Sequence, residues 1–340
     1  MKVSAWFENA AGSAVKCTLC PHRCVIQEGK SGICHVRINK GGSLYSENFG
    51  MLSAIHLDPI EKKPLYHYYP GSQILSIGSV GCNLGCLFCQ NCEISQVPSV
   101  HAVMGLKKYE PIQVTDLALQ YKDNIGIAYT YNEPAVWYEF MLETAMLAAA
   151  KGLKNVMVTN GFINREPLTG LLDVMDAFSV DMKGFTNDFY RKITSSSLQP
   201  VKEAIQMISS SGRHLELVNL VIPGLNDDRS DFREMVKWIS GELGKTTVLH
   251  LSRYFPMHKL SIEATPPSLL DELHEIASQY LDFVYVGNVS SEFSNTYCPA
   301  CSSLTVLRKG YSIYLTGLDD KGRCARCNNQ IIKHIKQGMA

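Results

Sequence analysis

From residue 74 onward, short β-branched apolar runs alternate with longer stretches in which apolar residues recur every three or four positions. That rhythm predicts strand–helix units around a parallel sheet. The runs ILSIGSV from 74, GIAYTY from 126, NVMVTN from 155, AFSVDMK from 177, LELVNLVI from 215 and TVLHLSRY from 246 predict six strands, and FVYVGN from 283 a seventh at an edge. Pro134 opens the helical pattern AVWYEFMLETAMLAAAKG, which closes on Gly152, while PVKEAIQMISSSG and DFREMVKWISGELG each end near glycine. The expected fold is α/β, strand–helix units around a parallel sheet over residues 71–290. A Cys-rich module and linker (1–70) precedes it and a zinc-ribbon-like module (291–340) follows.

Both flanking modules are predicted from cysteine spacing. The first holds Cys17, Cys20, Cys24 and Cys34 with His22 and His35 interleaved, and Pro21, Gly29 and Gly32 mark its turns. Four thiolates would close a metal site there, and zinc and an auxiliary iron–sulfur cluster both accept such a set. The last module holds Cys298, Cys301, Cys324 and Cys327, two CxxC pairs with 22 residues between them, which is the spacing of a zinc ribbon. LTVLRKGYSIYLT between the pairs alternates as a hairpin does. Residues 44–70 are expected as a polar, aromatic approach to the barrel. Their Asp58, Glu61, Lys62, Lys63 and His67 suit either an active-site wall or a solvated charged loop.

In parallel βα barrels the reactive groups sit at the carboxyl ends of the strands, so each strand's exit nominates site residues. The first exits into GCNLGCLFCQN, which carries Cys82, Cys86 and Cys89. Three thiolates spaced x3 and x2 can hold three irons of one cluster and leave the fourth open to a reactant, whereas an electron-transfer ferredoxin closes all four. Gly81 and Gly85 allow a tight loop, and Asn83 can bond backbone groups. A zinc site would more often pair two CxxC units. Cys92 reads as a small buried thiol and is left outside the site.

Later exits supply Tyr131, Asn132, Glu133 and Pro134, then Thr159, Asn160 and Gly161, then Asp181 and Lys183. Asn219 lies on the fifth strand, His250 and Arg253 on the sixth. Glu133 suits a helix N-terminus as well as a cofactor contact. Asp181 and Lys183, two apart on one strand, point to the same side and are expected either to pair or to act as the catalytic residues. His250 is expected as a core histidine or as a hydrogen-bonding partner of a nucleoside.

The chain's 340 residues carry 32 Lys and Arg against 32 Asp and Glu, so no net field favours nucleic acid or an anionic membrane. With no apolar run of signal or transmembrane length, a cytoplasmic protein is expected, and there clustered cysteines are metal ligands before they are disulfides.

The cysteine loop resembles the signature of radical S-adenosylmethionine (SAM) enzymes. Together with CTLCPHRC, DPIEKKPLYHYYPG, CQNCEISQ and the terminal CxxC pairs, the chain resembles the radical SAM protein of the AmmeMemoRadiSam system, similar in its core to pyruvate formate-lyase activating enzymes. The family commonly has tryptophan where this chain has Cys92. The resemblance implies a partial (β/α)6 radical SAM barrel over residues 71–290 and a [4Fe–4S] cluster on Cys82, Cys86 and Cys89, with SAM chelating the open iron. It places Asn132, Glu133, Thr159, Asn160, Asp181 and Lys183 around SAM, with His250 and Arg253 further round. A one-electron cleavage of SAM to a 5′-deoxyadenosyl radical is the implied reaction. A protein or peptide substrate, an external electron donor and a Memo-like partner are expected. A small metabolite under a lid formed by DPIEKKPLYH, or a non-enzymatic metal-rich protein, are the rival expectations.

Overall fold

The computed structural model describes residues 1–336. Its centre is a sheet of eight strands, β1 (Ala54–Pro59), β2 (Gln73–Gly78), β3 (Asn124–Tyr129), β4 (Lys154–Thr159), β5 (Ala177–Asp181), β6 (His214–Val221), β7 (Val248–Arg253) and β8 (Phe283–Gly287). Spatial order equals chain order, and β2 to β8 are mutually parallel. Each crossover therefore advances the sheet by one strand, giving a curved partial barrel with free edges at β1 and β8.

All seven expected strands form, and FVYVGN is the edge strand β8. The sheet nevertheless begins at Ala54, before the expected boundary at residue 71, because β1 pairs antiparallel to β2 from Ala54↔Gly78 to Pro59↔Gln73. Pro59 is tolerated as the last residue of an edge strand, where no amide has to be donated.

Six helices back the sheet: α1 (Pro111–Gln120), α2 (Tyr138–Ala150), α3 (Arg165–Leu172), α4 (Leu198–Ser210), α5 (Arg229–Glu242) and α6 (Pro267–Ser278). In α5, Asp228 caps the first turn by accepting from the amides of Ser230 (2.9 Å) and Asp231 (3.0 Å). The helix then buries Phe232, Met235, Val236 and Ile239, one stripe at helical spacing.

The stretch from Asp58 to Tyr68 is neither a solvated loop nor a lid. After β1 a 3-10 turn (Ile60–Lys62) carries the chain beneath the barrel, where Leu65 and Tyr68 pack with Ile60, Ile74, Ala128, Val156 and Ala177. Glu216 stands fully buried above this plug. Its carboxylate accepts from the amides of Tyr66 (2.9 Å) and His67 (2.7 Å) and from Nε2 of His214 (2.8 Å) and His250 (2.6 Å). Four donors satisfy a charge that burial alone would neutralise, and the two histidines hold the Glu216 carboxyl far below the ordinary range.

The N-terminal module is two three-stranded antiparallel sheets. Arg37 anchors it to α2 by a two-pronged pair with Glu139, Nη1–Oε1 3.0 Å and Nη2–Oε2 2.8 Å, both groups buried. The C-terminal module is a three-stranded sheet carrying two knuckles. Each knuckle turns through a left-handed residue, Ser302 and Asn328, whose amides donate to the carbonyls of Cys298 and Cys324 (both 2.8 Å). Arg308 docks this module under the barrel, donating to the Tyr66 carbonyl at 3.0 Å with its guanidinium 4.2 Å from the Tyr66 ring. The last residues of the expected range 291–340 lie outside the described residues.

Candidate active site

At the carboxyl end of the sheet, the segment between β2 and α1 folds over the barrel mouth as the cysteine loop. Asn132 clips its start, accepting from the Ser79 amide (2.9 Å) and donating to the Gly81 carbonyl (2.8 Å). Asn83 donates to the Phe162 carbonyl (2.7 Å) and accepts from Asn160 (2.9 Å), so its partners lie on the loop after β4 rather than within its own. The amides of Gly85 and Leu87 donate to the carbonyls of Thr194 and Ile193 at 2.9 and 3.0 Å, across a π-helical turn (Tyr190–Thr194). Gly81 has φ +94°, and a Cβ there would come within 2.6 Å of Val36 Cγ1 and 2.8 Å of the Cys34 carbonyl oxygen. Only glycine meets both demands.

Cys82, Cys86 and Cys89 line one cavity of about 750 Å3. Every parallel strand contributes to its wall directly or through its exit, β2 through the cysteine loop itself. Tyr131, Asn132 and Glu133 follow β3, Thr159 and Asn160 close β4, and Asp181 and Lys183 close β5. Val218 and Leu220 of β6, Ser252 of β7 and Asn288 after β8 complete it. At the floor of the cavity, Asp58 of β1 accepts from Lys62 (3.1 Å), Lys63 (2.9 Å) and the Tyr131 hydroxyl (2.7 Å). Burial would raise the Asp58 carboxyl, but these three donors outweigh it and hold it well below the usual range.

Glu133 combines the two roles open to it. Its carboxylate caps the turn it begins, accepting from the Ala135 amide at 3.0 Å, and also accepts from the Thr159 hydroxyl (2.8 Å) and the Asn160 amide (2.8 Å). Burial lifts its pKa to about 7 against these bonds. Asp181 and Lys183 form an ion pair of 2.7 Å facing the cavity. Burial opposes the lysine's charge, but Asp181 and then Cys86 outweigh it and keep Lys183 protonated.

Two expected cofactor contacts lie elsewhere. His250 points into the barrel but below the cavity, bonded to Glu216 and packed edge-on against Tyr66. It is the core histidine, buried on Glu216, while Ser252 two residues further along β7 reaches the cavity. Arg253 turns outward, its Nε donating to the Thr265 carbonyl (2.8 Å) and its guanidinium lying over Phe255. Asn219 also faces away and donates to the Met182 carbonyl (2.8 Å). Of the charged stretch near residue 60, Asp58, Lys62 and Lys63 line the cavity whereas Glu61 and His67 do not. Cys92 begins a short helix outside the lining. His56 and Phe88, which no sequence signal singled out, are part of the wall.

Three thiols on one loop, beside a cavity rimmed by the strand ends of a parallel sheet, define a radical SAM barrel. Residues 76–239 match the radical SAM superfamily. The chain belongs to this superfamily. It is 38% identical over 335 residues to the uncharacterized protein MJ0808 of Methanocaldococcus jannaschii, covering 97% of this chain and 99% of that one. A pyruvate formate-lyase-activating enzyme of Listeria monocytogenes is 24% identical over 170 residues, 47% of this chain and 66% of the relative. Among solved structures, a radical SAM methyltransferase from Sphaerobacter thermophilus aligns with 15% identity and a TM-score of 0.49, over 65% of this chain and 67% of that one.

The superfamily implies a [4Fe–4S] cluster and SAM, and the donor set fits both. Cys82, Cys86 and Cys89 provide thiolates for three irons, and the cavity gives a fourth iron room for a non-protein ligand. The Leu84 amide donates to Cys82 Sγ at 3.4 Å, and Asn160 Nδ2 lies 3.8 Å from the same sulfur, contacts that stabilise negative charge on a metal-bound thiolate. The C-terminal site has another geometry. All four sulfurs lie within 4.8 Å of one another, with Cys298–Cys327 at 3.5 Å and Cys301–Cys324 at 3.7 Å. Four thiolates about 2.3 Å from one tetrahedral ion would stand about 3.8 Å apart. The Ser303 hydroxyl, 3.2 Å from Cys324, draws that thiol down to about 6, toward the thiolate a metal requires.

Proposed function

We propose that this chain cleaves SAM reductively at a [4Fe–4S] cluster on Cys82, Cys86 and Cys89 and abstracts a hydrogen atom from a protein or peptide substrate. The carrying observation is the three-cysteine loop sealed over a cavity to which the strand exits turn their polar groups. Bound there, cluster and SAM supply a 5′-deoxyadenosyl radical. The chain's own groups bind, orient and exclude water. Glu133, Thr159 and Asn160 form one rigid polar edge beside Cys82 that suits the aminoacyl end of SAM, and the Lys183–Asp181 pair offers a fixed cation and carboxylate at the end of the neighbouring strand β5. Val158, Val218 and Leu220 add an apolar part to the wall, which keeps water from a reactive radical.

A protein or peptide suits this site because a cavity of about 750 Å3 that already holds a cluster and SAM admits only one part of a substrate at a time. The relatives from Listeria are named as activators of an enzyme, pyruvate formate-lyase. Phe255 and Met257, on the loop after β7, are exposed and offer apolar contact to such a partner. A Memo-like protein is the candidate partner, an external one-electron donor supplies the reduction, and zinc occupies the C-terminal thiolates.

Anaerobically reconstituted protein should release 5′-deoxyadenosine from SAM on reduction, and Cys86→Ala should release none. Deuterium should pass from a labelled partner protein into 5′-deoxyadenosine. Cleavage by Cys86→Ala would overturn the cluster assignment, and transfer from a labelled metabolite alone would overturn the substrate class.

A further inference from the structure

Behind the cysteine loop, Cys17, Cys20, Cys24 and Cys34 line a second, small cavity of about 20 Å3, together with Leu19, Ile26, Ile33 and Val136. The four sulfurs are set differently from those of the C-terminal module. Among the described residues, the C-terminal four are the group gathered within 4.8 Å of one another. A cluster that places one thiolate on each of four irons spreads its sulfurs further than four thiolates sharing one ion.

Other groups around the cavity suit the same occupant. Arg37 is fully buried, lines the cavity, and has an Nε–H without a hydrogen-bond partner although both its other nitrogens are engaged by Glu139. A buried, unpartnered donor on a cation beside four thiols points to an anionic group between them. The interleaved His22 is not free to ligate through Nε2, which donates to the Asn83 carbonyl at 2.8 Å. That bond joins the two cysteine sets, as does the close approach of the Cys34 carbonyl to Gly81.

We propose that Cys17, Cys20, Cys24 and Cys34 hold a second [4Fe–4S] cluster, not a zinc ion, directly behind the loop of the catalytic one. With every iron held by thiolate it has no place for SAM and can only take up and release an electron. The proposal rests on the radical SAM reading only for the identity of its neighbour.

The test is made on full-length protein carrying Cys82→Ala, Cys86→Ala and Cys89→Ala together, reconstituted anaerobically with iron and sulfide. We expect about four irons and four acid-labile sulfides per chain to remain, with a reduced-state electron paramagnetic resonance signal that SAM does not alter. Sulfide excludes lone iron in the C-terminal thiolates as the source. Cys20→Ser in the otherwise native chain should lose the same amount of iron while keeping the SAM-responsive signal. A triple variant with two zincs and no sulfide overturns the proposal. Native protein without a SAM-responsive signal would instead overturn the radical SAM reading, and the triple variant's sulfide content would still decide this one.

Discussion

Gly81→Ala tests whether the glycine before the first cluster cysteine is required by geometry. At φ +94° an alanine incurs the left-handed backbone cost of roughly 1–2 kcal/mol. Its methyl would also stand 2.8 Å from the Cys34 carbonyl oxygen and 2.6 Å from Val36 Cγ1. Val36 could rotate, but the carbonyl belongs to a backbone held between two cysteines, so an overpacking term of about 1–3 kcal/mol adds to the first. Together they amount to about 2–5 kcal/mol. If a chain of 340 residues unfolded as one unit, its unfolding entropy of about 0.7 kcal/mol per kelvin would make this a fall in Tm of about 3–7 °C.

The loop and the N-terminal module meet at this residue, so the strain should appear first as poor cluster loading. Gly212→Ala is the matched control, since Gly212 has φ +74° with nothing within 4 Å of the added carbon and shares only the backbone cost. Iron and sulfide content after anaerobic reconstitution, with thermal melts of both variants, separates the two contributions. Gly81→Ala should lose cluster and melt well below Gly212→Ala. Equal melting and full cluster content in both would refute the contact argument.

Two further outcomes concern the underside of the barrel. Burial pushes the imidazole of His67 down from 6.5 to about 3, with its Nδ1–H on the Ile331 carbonyl (3.2 Å) and its Nε2 accepting from Tyr285. Below pH 6.5 the unfolded chain takes a proton that the folded chain refuses, so stability is full above 6.5 and falls by up to about 1.4 kcal/mol per pH unit toward 3. Glu216, far below its ordinary range, and His334, lowered to about 4 by burial, act in the same direction. Melting followed from pH 8 to 5 should drop on the acid side, His67→Gln should flatten that drop, and an unchanged slope would count against the assignment. Cys324→Ser should remove one metal ion and open residues 298–332 to limited proteolysis while leaving SAM cleavage in place, because four thiolates, not a large core, order that module. Unchanged metal content would show that the module does not depend on this set.

The sequence made the sheet legible from β2 to β8, because buried parallel strands are continuous β-branched runs separated by helical periods. It concealed β1 and the plug. AIHLDP is short, polar at His56 and Asp58, and ends in proline, while Leu65 and Tyr68 stand among lysines and prolines that resemble a surface loop. Their burial depends on the barrel's lower half being open, and that is a property of the assembled fold. The cluster cysteines and the Asp181–Lys183 pair were readable from spacing and from the two-residue period. His250 was legible as a core histidine or a cofactor contact without a means to choose, since it shares that period with Ser252, yet Ser252 lines the cavity and His250 lies beneath it. A charged Glu216 inside LELVNLVI was the available sign that a polar layer lies under the mouth.

Residues at the strand exits also divide into two kinds that sequence position cannot separate. Asn132 and Asn83 bond across loops and are fully used in holding the cysteine loop, whereas Asp181 and Lys183 pair with each other and keep their outer faces to the cavity. An iron with one open position needs the first kind as much as the second. Its reactant is useful only if the cluster and the strand ends keep a fixed separation, to within a fraction of an ångström. Here the loop is tied to β3 through Asn132, to the exit of β4 through Asn83, to the turn after β5 through Gly85 and Leu87, and to the N-terminal module through Gly81 and His22. The cysteine-rich module therefore acts as the back wall of the active site.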